Sequence, residues 1–296
     1  MVIATGFFDG VHLGHRFILR QLVEEARRRN DESMVVTFWP HPRNVLQDDA
    51  RNLRLLTSME EKKALIRNIG VDHIEVIPFT KEFCRLSAEE YLRDYIVGKF
   101  GGKAILVGYD NRIGSDQCTP GQTAEIARRL GLDVIRPESF VSDAGIVISS
   151  TKIRNSLQAG DIEEADSMLG YQYQLYGVVV SGNRLGHTIG FPTANMQLYE
   201  PLKLIPGNGV YLVKVETLGR VYDGMCNIGV RPTLGSGNAL TIETNIFDFN
   251  EDIYGLDIRL SFVCKIRNEM KFNDFSVLAS QLEKDRAHCR ILLREK

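Results

Sequence analysis

Thr5-Gly6-Phe7-Phe8-Asp9-Gly10-Val11-His12-Leu13-Gly14-His15 is the stretch whose reading decides the fold of the first half of the chain. It follows a short apolar run, residues 2–4, and enters a segment, 15–29, in which Phe17, Leu19, Leu22, Val23 and Ala26 recur near helical spacing. The pattern predicts a buried strand, a glycine-bearing turn and the start of a helix. A helix N-terminus offers unpaired N–H groups and a partial positive charge, and in an open α/β sheet this junction is where nucleotides bind. Gly6, Gly10 and Gly14 let the backbone approach a phosphate, with Phe7 and Asp9 in the same turn. His12 and His15 are three apart, so both can face the same phosphates. In isolation they would read as ordinary surface histidines; the strand-to-helix context supplies the functional reading.

The rest of the first half alternates in the same way. Strand patterns fall at 34–38, 73–77, 104–107, 134–135 and 146–148. Ser58 with Glu61, and Ser87 with Glu90 before 91–100, carry the capping-box signature of helix starts. Such alternation predicts a parallel sheet with right-handed crossovers. After about residue 160 the character changes. Residues 157–167 read as a helical connector. Beyond Tyr173 the apolar runs are short and β-branched, at 175–180, 210–215, 221–228, 240–249 and 258–263, with Gly, Asn and Pro turns between them. They predict an antiparallel barrel or sandwich, closed by a helix over 274–293. The boundary is expected between about 155 and 172, and a fragment starting near Ser167 is expected to fold alone.

The 296 residues suit two domains, and 44% apolar with 25% charged residues is ordinary globular composition. A formal net charge of −2 with no basic block argues against nucleic-acid binding. Cys84, Cys118, Cys226, Cys264 and Cys289 are far apart, odd in number and form no C-x-x-C, which argues for reduced thiols. No apolar run approaches a membrane span, and only Val2, Ile3 and Ala4 precede Thr5, too few for a signal-peptide apolar region. The expectation is a cytoplasmic protein without nucleic-acid or membrane partners; a weak homo-oligomer is compatible with the sequence.

Ser149-Ser150-Thr151-Lys152-Ile153-Arg154 follows a predicted strand and opens a predicted helix. Its hydroxyls, amides and cations suit a polyphosphate, although Ser150 or Thr151 alone would serve as a helix cap. Asp110, in Val107-Gly108-Tyr109-Asp110, ends another strand on the same expected edge. His41, in Phe38-Trp39-Pro40-His41-Pro42, lies on a stiff loop after the second strand. These residue types fit adenylyl transfer to a phosphate. Such an acceptor is already anionic and needs no general base; the protein must align it with the α-phosphate of ATP and stabilise the developing charge.

In the second half, the run from Gly177 to Asn195 places Gly182, Gly186 and Gly190 four apart, which suits a loop wrapping phosphate oxygens. No Gly-Lys-Ser/Thr follows, so it is not a Walker A loop. Thr193 and Asn195 offer the hard oxygen ligands that Mg²⁺ prefers. Asn227-Ile228-Gly229-Val230-Arg231-Pro232-Thr233 reads as a turn after a strand. Glu243 lies in a strand pattern, where a carboxylate can take a proton from a substrate hydroxyl; on spacing alone a solvated strand-face glutamate is the simpler reading.

Together these motifs resemble the bifunctional bacterial riboflavin kinase/FMN adenylyltransferases, also called FAD synthetases, over almost the whole chain and in that family's domain order. The H-x-G-H element is also the signature of the wider nucleotidyl-transferase superfamily. The resemblance rests on Gly6 to His15, Thr37-Phe38-Trp39-Pro40-His41-Pro42 and Ser149 to Arg154, then on Gly190-Phe191-Pro192-Thr193-Ala194-Asn195, Asn227 to Thr233 and Glu243. It implies an α/β Rossmann-like nucleotidyl transferase over 1–160. A small six-stranded antiparallel β-barrel with a C-terminal helix follows over 161–296. It implies two reactions, both with Mg²⁺: riboflavin and ATP give FMN and ADP in the second domain, and FMN and ATP give FAD and pyrophosphate in the first. By resemblance Glu243 is the base for the ribityl hydroxyl. Thr193 and Asn195 hold the kinase Mg²⁺ and nucleotide phosphates, beside the loop of Gly182, Gly186 and Gly190. His12, His15, Ser150, Thr151 and Arg154 act on ATP in the transferase site, His41 lies on a mobile flap, and Asp110 belongs to the flavin side.

Three positions depart from the family pattern. Residues 111–118, Asn111-Arg112-Ile113-Gly114-Ser115-Asp116-Gln117-Cys118, differ on the flavin side of the first site; His187 replaces a common arginine; Asn245 stands where a histidine often follows. The expectation is normal ATP binding but weak or differently contacted FMN, with Arg112 supplying a cation to its phosphate. Two rival readings keep a single live site, the kinase before the transferase, or make the chain a flavin carrier without ATP chemistry.

Overall fold

The computed structural model describes residues 1–41, 53–108, 111–138, 140, 148–182, 190–233, 237–272 and 274–295, without the side chains of 231–233, 237–239 and 295. The chain divides into two compact units, Met1–Ser150 and Thr151–Lys296.

In the first unit β1 (Val2–Thr5), β2 (Ser33–Trp39), β3 (His73–Pro78), β4 (Ala104–Leu106) and β5 (Asp133–Ile135) form a parallel sheet in the order β3-β2-β1-β4-β5. Its helices are α1 (Leu13–Arg28), α2 (Met59–Arg67), α3 (Ala88–Tyr91), which runs on as a π-helix over Leu92–Lys99, and α4 (Pro120–Arg129). β1 is central and buried on both faces. Ile3 packs with Val36, Ile105 and Ile96 on one side, and Val2 and Ala4 with Leu19, Leu22 and Val35 on the other. This is why the run reads as uniformly apolar. The strand order reverses between β1 and β4, so a crevice opens at their carboxyl ends. Both predicted capping boxes form, at Ser58/Glu61 and Ser87/Glu90, and a third caps α4 at Thr119/Gln122. The predicted strand at 146–148 falls largely outside the described residues.

The second unit begins with α5 (Ser150–Ala159) and α6 (Ile162–Leu169). The single connector expected over 157–167 is two helices because Gly160 interrupts it at φ 87°. β6 (Gln174–Val180), β7 (Ala194–Leu198), β8 (Gly209–Thr217), β9 (Arg220–Thr233), β10 (Gly237–Ile246) and β11 (Asp257–Arg267) close an antiparallel barrel in the order β10-β7-β6-β11-β8-β9. α7 (Phe275–Glu295) follows.

The helix pair is fastened to the barrel. The Gly207 amide donates to the Leu157 carbonyl at 2.8 Å, the Lys265 Nζ donates to the Ala159 carbonyl, and the Tyr173 amide donates to the Asp166 carboxylate. The units therefore part about ten residues before 160. A fragment beginning at Thr151 is expected to unfold cooperatively in a thermal melt. One beginning at Ser167 discards Leu157, Ile162 and Ala165, all fully buried, and is expected to lose several kcal/mol at about 2 kcal/mol or more per buried aliphatic. Equal melting temperatures for the two fragments would contradict this.

Candidate active sites

The turn after β1 takes the strained path its glycines suggest. Phe8, Gly10 and Val11 all have positive φ, 50°, 79° and 37°. For β-branched Val11 this is a true outlier, of the kind functional loops retain. The path ends at His12, which caps α1: its Nδ1 accepts from the His15 amide at 3.3 Å. The two imidazoles stack, with centroids 3.6 Å apart. Gly14 leaves room for this, since a Cβ there would meet the His12 ring at 3.3 Å. Burial lowers the His12 pKa from 6.5 to about 4, against a weaker opposing pull from Asp9. His15 lies well below its ordinary value, through burial first and then the neighbouring His12 and Lys62. Both rings are neutral at pH 7, so to an anion in the cavity they would offer hydrogen bonds rather than charge.

His12, Gly14, His15 and Ser149 line a cavity of 180 Å³. A second cavity, of 520 Å³, adjoins it; the two share Thr5, Gly6, Phe7 and Asn111. The larger is walled by Phe38, Phe79, Phe83 and Tyr91, whose rings meet edge-on or tilted. The Tyr91 hydroxyl is paired with Thr5 Oγ1 at 2.7 Å, tying the aromatic wall to the end of β1. His41 packs edge-on against Phe7 at 3.9 Å between centroids.

Asp9 and Gly10 frame the site without lining the cavity. The Asp9 carboxylate accepts from the amides of Leu56 and Thr57 and from the Thr57 hydroxyl, and the Gly10 amide donates to Thr57 Oγ1. Ser150 Oγ donates to the Asp9 carbonyl at 3.0 Å. Thr151 and Arg154 follow on α5, within the second compact unit. Asp110 lies outside the described residues.

The altered segment 111–118 is pinned in place. Ile113 and Cys118 form a β-bridge, and Ser115 donates to the Leu86 carbonyl. Asp116 accepts from the Ala88 amide at the start of α3. Gly114, at φ 80°, passes so close that a Cβ would lie 2.2 Å from that amide nitrogen. Arg112 is exposed, donates to the Gln117 carbonyl and lines the aromatic cavity.

In the second unit the barrel register joins motifs far apart in sequence. Glu243 on β10 lies opposite Asn195 on β7 and Asn227 on β9, so the three share a rung and a face. Glu243, Asn227, Asn245 and Arg267 line a cavity of 240 Å³. A cavity of 580 Å³ adjoins it, lined by Thr244, Phe249 and 250–254. Thr193 lines both. Thr241 Oγ1 donates to Glu243 Oε1 at 3.2 Å. Asn245 acts structurally, since its amide donates to the Pro192 carbonyl at 2.7 Å and so holds the turn that presents Thr193. Gly182 lies close against the Asn195 side chain, since a Cβ there would fall 2.2 Å from Asn195 Nδ2. Gly190 adopts φ 80°. Gly186 and His187 lie outside the described residues. Thr193, on the wall of both cavities, and Asn195, opposite Glu243 on its rung, carry neutral oxygens of the hard kind that suits a Mg²⁺ taking its remaining ligands from water and phosphate. Among the described residues no cluster of His, Cys, Asp and Glu would hold a metal by itself.

Sequence reasoning misses Lys62, the aromatic wall, Arg267 and the 249–254 segment. Lys62 carries a signal: it lies four residues before buried Ile66 on α2, a cation on the core face of a helix. The others carry none, since their place depends on which segments fold together.

Residues 1–152 match the family described as FAD synthetase, and residues 169–293 the family described as riboflavin kinase. The bifunctional riboflavin kinase/FMN adenylyltransferase of Listeria monocytogenes is 37% identical, over 98% of this chain and 91% of that one. The protein of the same name from Bacillus subtilis is also 37% identical, over 96% and 90%, and that of Escherichia coli K12 is 36% identical, over 98% and 91%. Among solved structures, a Streptococcus pneumoniae chain described as a macrolide-efflux protein aligns with a TM-score of 0.89 at 33% identity, over 98% of this chain and 93% of that one. That likeness speaks to the fold; no described helix here is long and apolar enough to cross a membrane.

Proposed function

The chain belongs to the bifunctional riboflavin kinase/FMN adenylyltransferase family, and from that premise we propose that its two units divide the two reactions. The second unit phosphorylates riboflavin to FMN with ATP; the first joins FMN to the adenylyl group of ATP, giving FAD and pyrophosphate. The observation that carries the reading is that each unit holds two adjoining cavities with a shared wall, as a transfer between two bound substrates requires.

In the second unit ATP occupies the 580 Å³ cavity and riboflavin the one containing Glu243, and the phosphoryl group crosses beside Thr193. Glu243 takes the proton of the ribityl hydroxyl as its oxygen attacks. Thr193 and Asn195 are the ligands for Mg²⁺, which when bound neutralises phosphate charge. In the first unit the triphosphate lies against the amides at the start of α1 and the neutral His12 and His15. The isoalloxazine lies within the aromatic wall, which brings the FMN phosphate to the shared Thr5-Gly6-Phe7 edge. The free state of all five cysteines supports a reducing, cytoplasmic setting.

Incubating the protein with riboflavin, ATP and Mg²⁺ and following products by chromatography tests this directly. FMN followed by FAD is expected. FMN alone would confine activity to the second unit, and flavin bound without ATP consumption would make the chain a carrier.

Arg112 gives a sharper test of the flavin side. Arg112→Ala is expected to raise the KM for FMN roughly tenfold, the usual worth of one charge-assisted hydrogen bond, with the KM for ATP within about twofold. An unchanged KM for FMN would make Arg112 a surface residue of the loop.

A further inference from the structure

Lys62 is 1% exposed on the core face of α2. Burying an ammonium is costly unless an anion or a hydrogen-bond network offsets the loss of water. Its Nζ rests 3.6 Å from the centroid of the Phe7 ring, with no hydrogen bond from it among the described residues. Burial lowers the Lys62 pKa from 10.5 to about 8, against a weaker upward pull from Asp9, so the ammonium is still the main form at pH 7. The Asp9 carboxylate already accepts from Leu56 and Thr57. Phe7 lines both cavities of the first unit, and His15, whose charging Lys62 opposes, lines the smaller one. The lysine charge is therefore held against the wall that the two cavities share.

We propose that Lys62 is a fixed positive charge for adenylyl transfer, held on the Phe7 ring to stabilise the negative charge that gathers where the two substrates' phosphates meet. The inference rests on the reading of the first unit as an FMN adenylyltransferase. In that reaction an FMN phosphate oxygen bonds to the α-phosphorus of ATP. The bond from that phosphorus to the α–β bridging oxygen breaks, and pyrophosphate leaves with the electron pair. Lys62 passes no proton and forms no bond. It is a positioning charge, acting through the ring in a water-poor site where such interactions are strong. Two anions are driven together only as the bond forms, so the effect belongs to kcat more than to KM.

The test uses the full chain with Lys62→Met, which keeps the length of the buried stem, and Lys62→Arg, which keeps the charge. Kinetics of FMN adenylylation are measured beside riboflavin phosphorylation in the same preparations. For Lys62→Met the expected result is a kcat for FAD formation lowered about 10–100-fold. The KM values for ATP and FMN should stay within about threefold and FMN formation should be unchanged. Lys62→Arg is expected to recover most of the loss. The proposal is overturned by a Lys62→Met kcat within about threefold of wild type, by a loss confined to KM, or by Lys62→Arg performing no better than Lys62→Met. A wild-type chain that makes no FAD from supplied FMN would overturn the reading of the first unit instead, and the proposal with it.

Discussion

Glu243→Gln is expected to lower FMN formation by about 10²–10⁴-fold, the span of a lost general base, while FAD formation from supplied FMN persists. Glutamine keeps the size of the side chain and can still accept from the Thr241 hydroxyl, as Glu243 does at 3.2 Å. What it loses is the ability to take a proton. One other carboxylate, Glu269, lines the same cavity and accepts from Asn208 Nδ2 at 3.2 Å, so Glu269→Gln is the control for this assignment. Opposite Glu243 on its rung lie Asn195 and Asn227, and neither amide can accept the proton. The first unit's rate in the same chain normalises for protein amount, and an unchanged thermal melt of the 151–296 fragment carrying Glu243→Gln separates lost chemistry from lost folding. An unchanged rate of riboflavin phosphorylation would return Glu243 to the status of a strand-face glutamate.

Asp285→Ala is expected to destabilise the second unit by about 3–5 kcal/mol, the cost of removing one partner of a buried ion pair. Asp285, 3% exposed, accepts from Arg267 Nε at 2.9 Å and Nη2 at 2.8 Å, and from Gln281 Nε2 at 2.9 Å. The pair clamps α7 to β11. α7 contributes Phe275, Leu278 and Leu282 to the cavity that holds Glu243, and Arg267 lines it too. The substitution should therefore also raise the KM for riboflavin while FMN adenylylation is spared. Denaturant unfolding of the 151–296 fragment measures the first effect and kinetics of the full chain the second. A stability change below about 1 kcal/mol would show that the apolar contacts of α7 suffice without the clamp.

The parts legible in the sequence share one property: each is specified by residues close together in the chain. The H-x-G-H turn, the capping boxes at Ser58 and Ser87, the buried β1 run and the change of pattern after residue 160 are local signals with local causes. β7 escapes such a reading because Ala194-Asn195-Met196-Gln197-Leu198 contains no β-branched residue; it is a strand because β6 and β10 pair with it on either side. The connector reads as one helix because a lone glycine such as Gly160 is tolerable within a helical pattern. What fixes the break is the left-handed turn at Gly160, φ 87°, where the Asp161 amide bonds back to the Ser156 carbonyl at 2.8 Å and ends the helix.

For the sites the division is the same. Residue types and motif spacing are enough to nominate His12, His15, Thr193, Asn195 and Glu243, because phosphate and proton chemistry admit few side chains. Only the tertiary structure decided that Asn195, Glu243 and Asn227 share one rung, and that Asn245 holds Pro192. It alone revealed that Asp9 anchors the loop and that a lysine of α2 lies buried on Phe7. Local propensity is set by a few neighbouring residues. A cavity wall, a barrel register and the burial of a charge are set by which distant segments pack together, and no spacing along the chain encodes that.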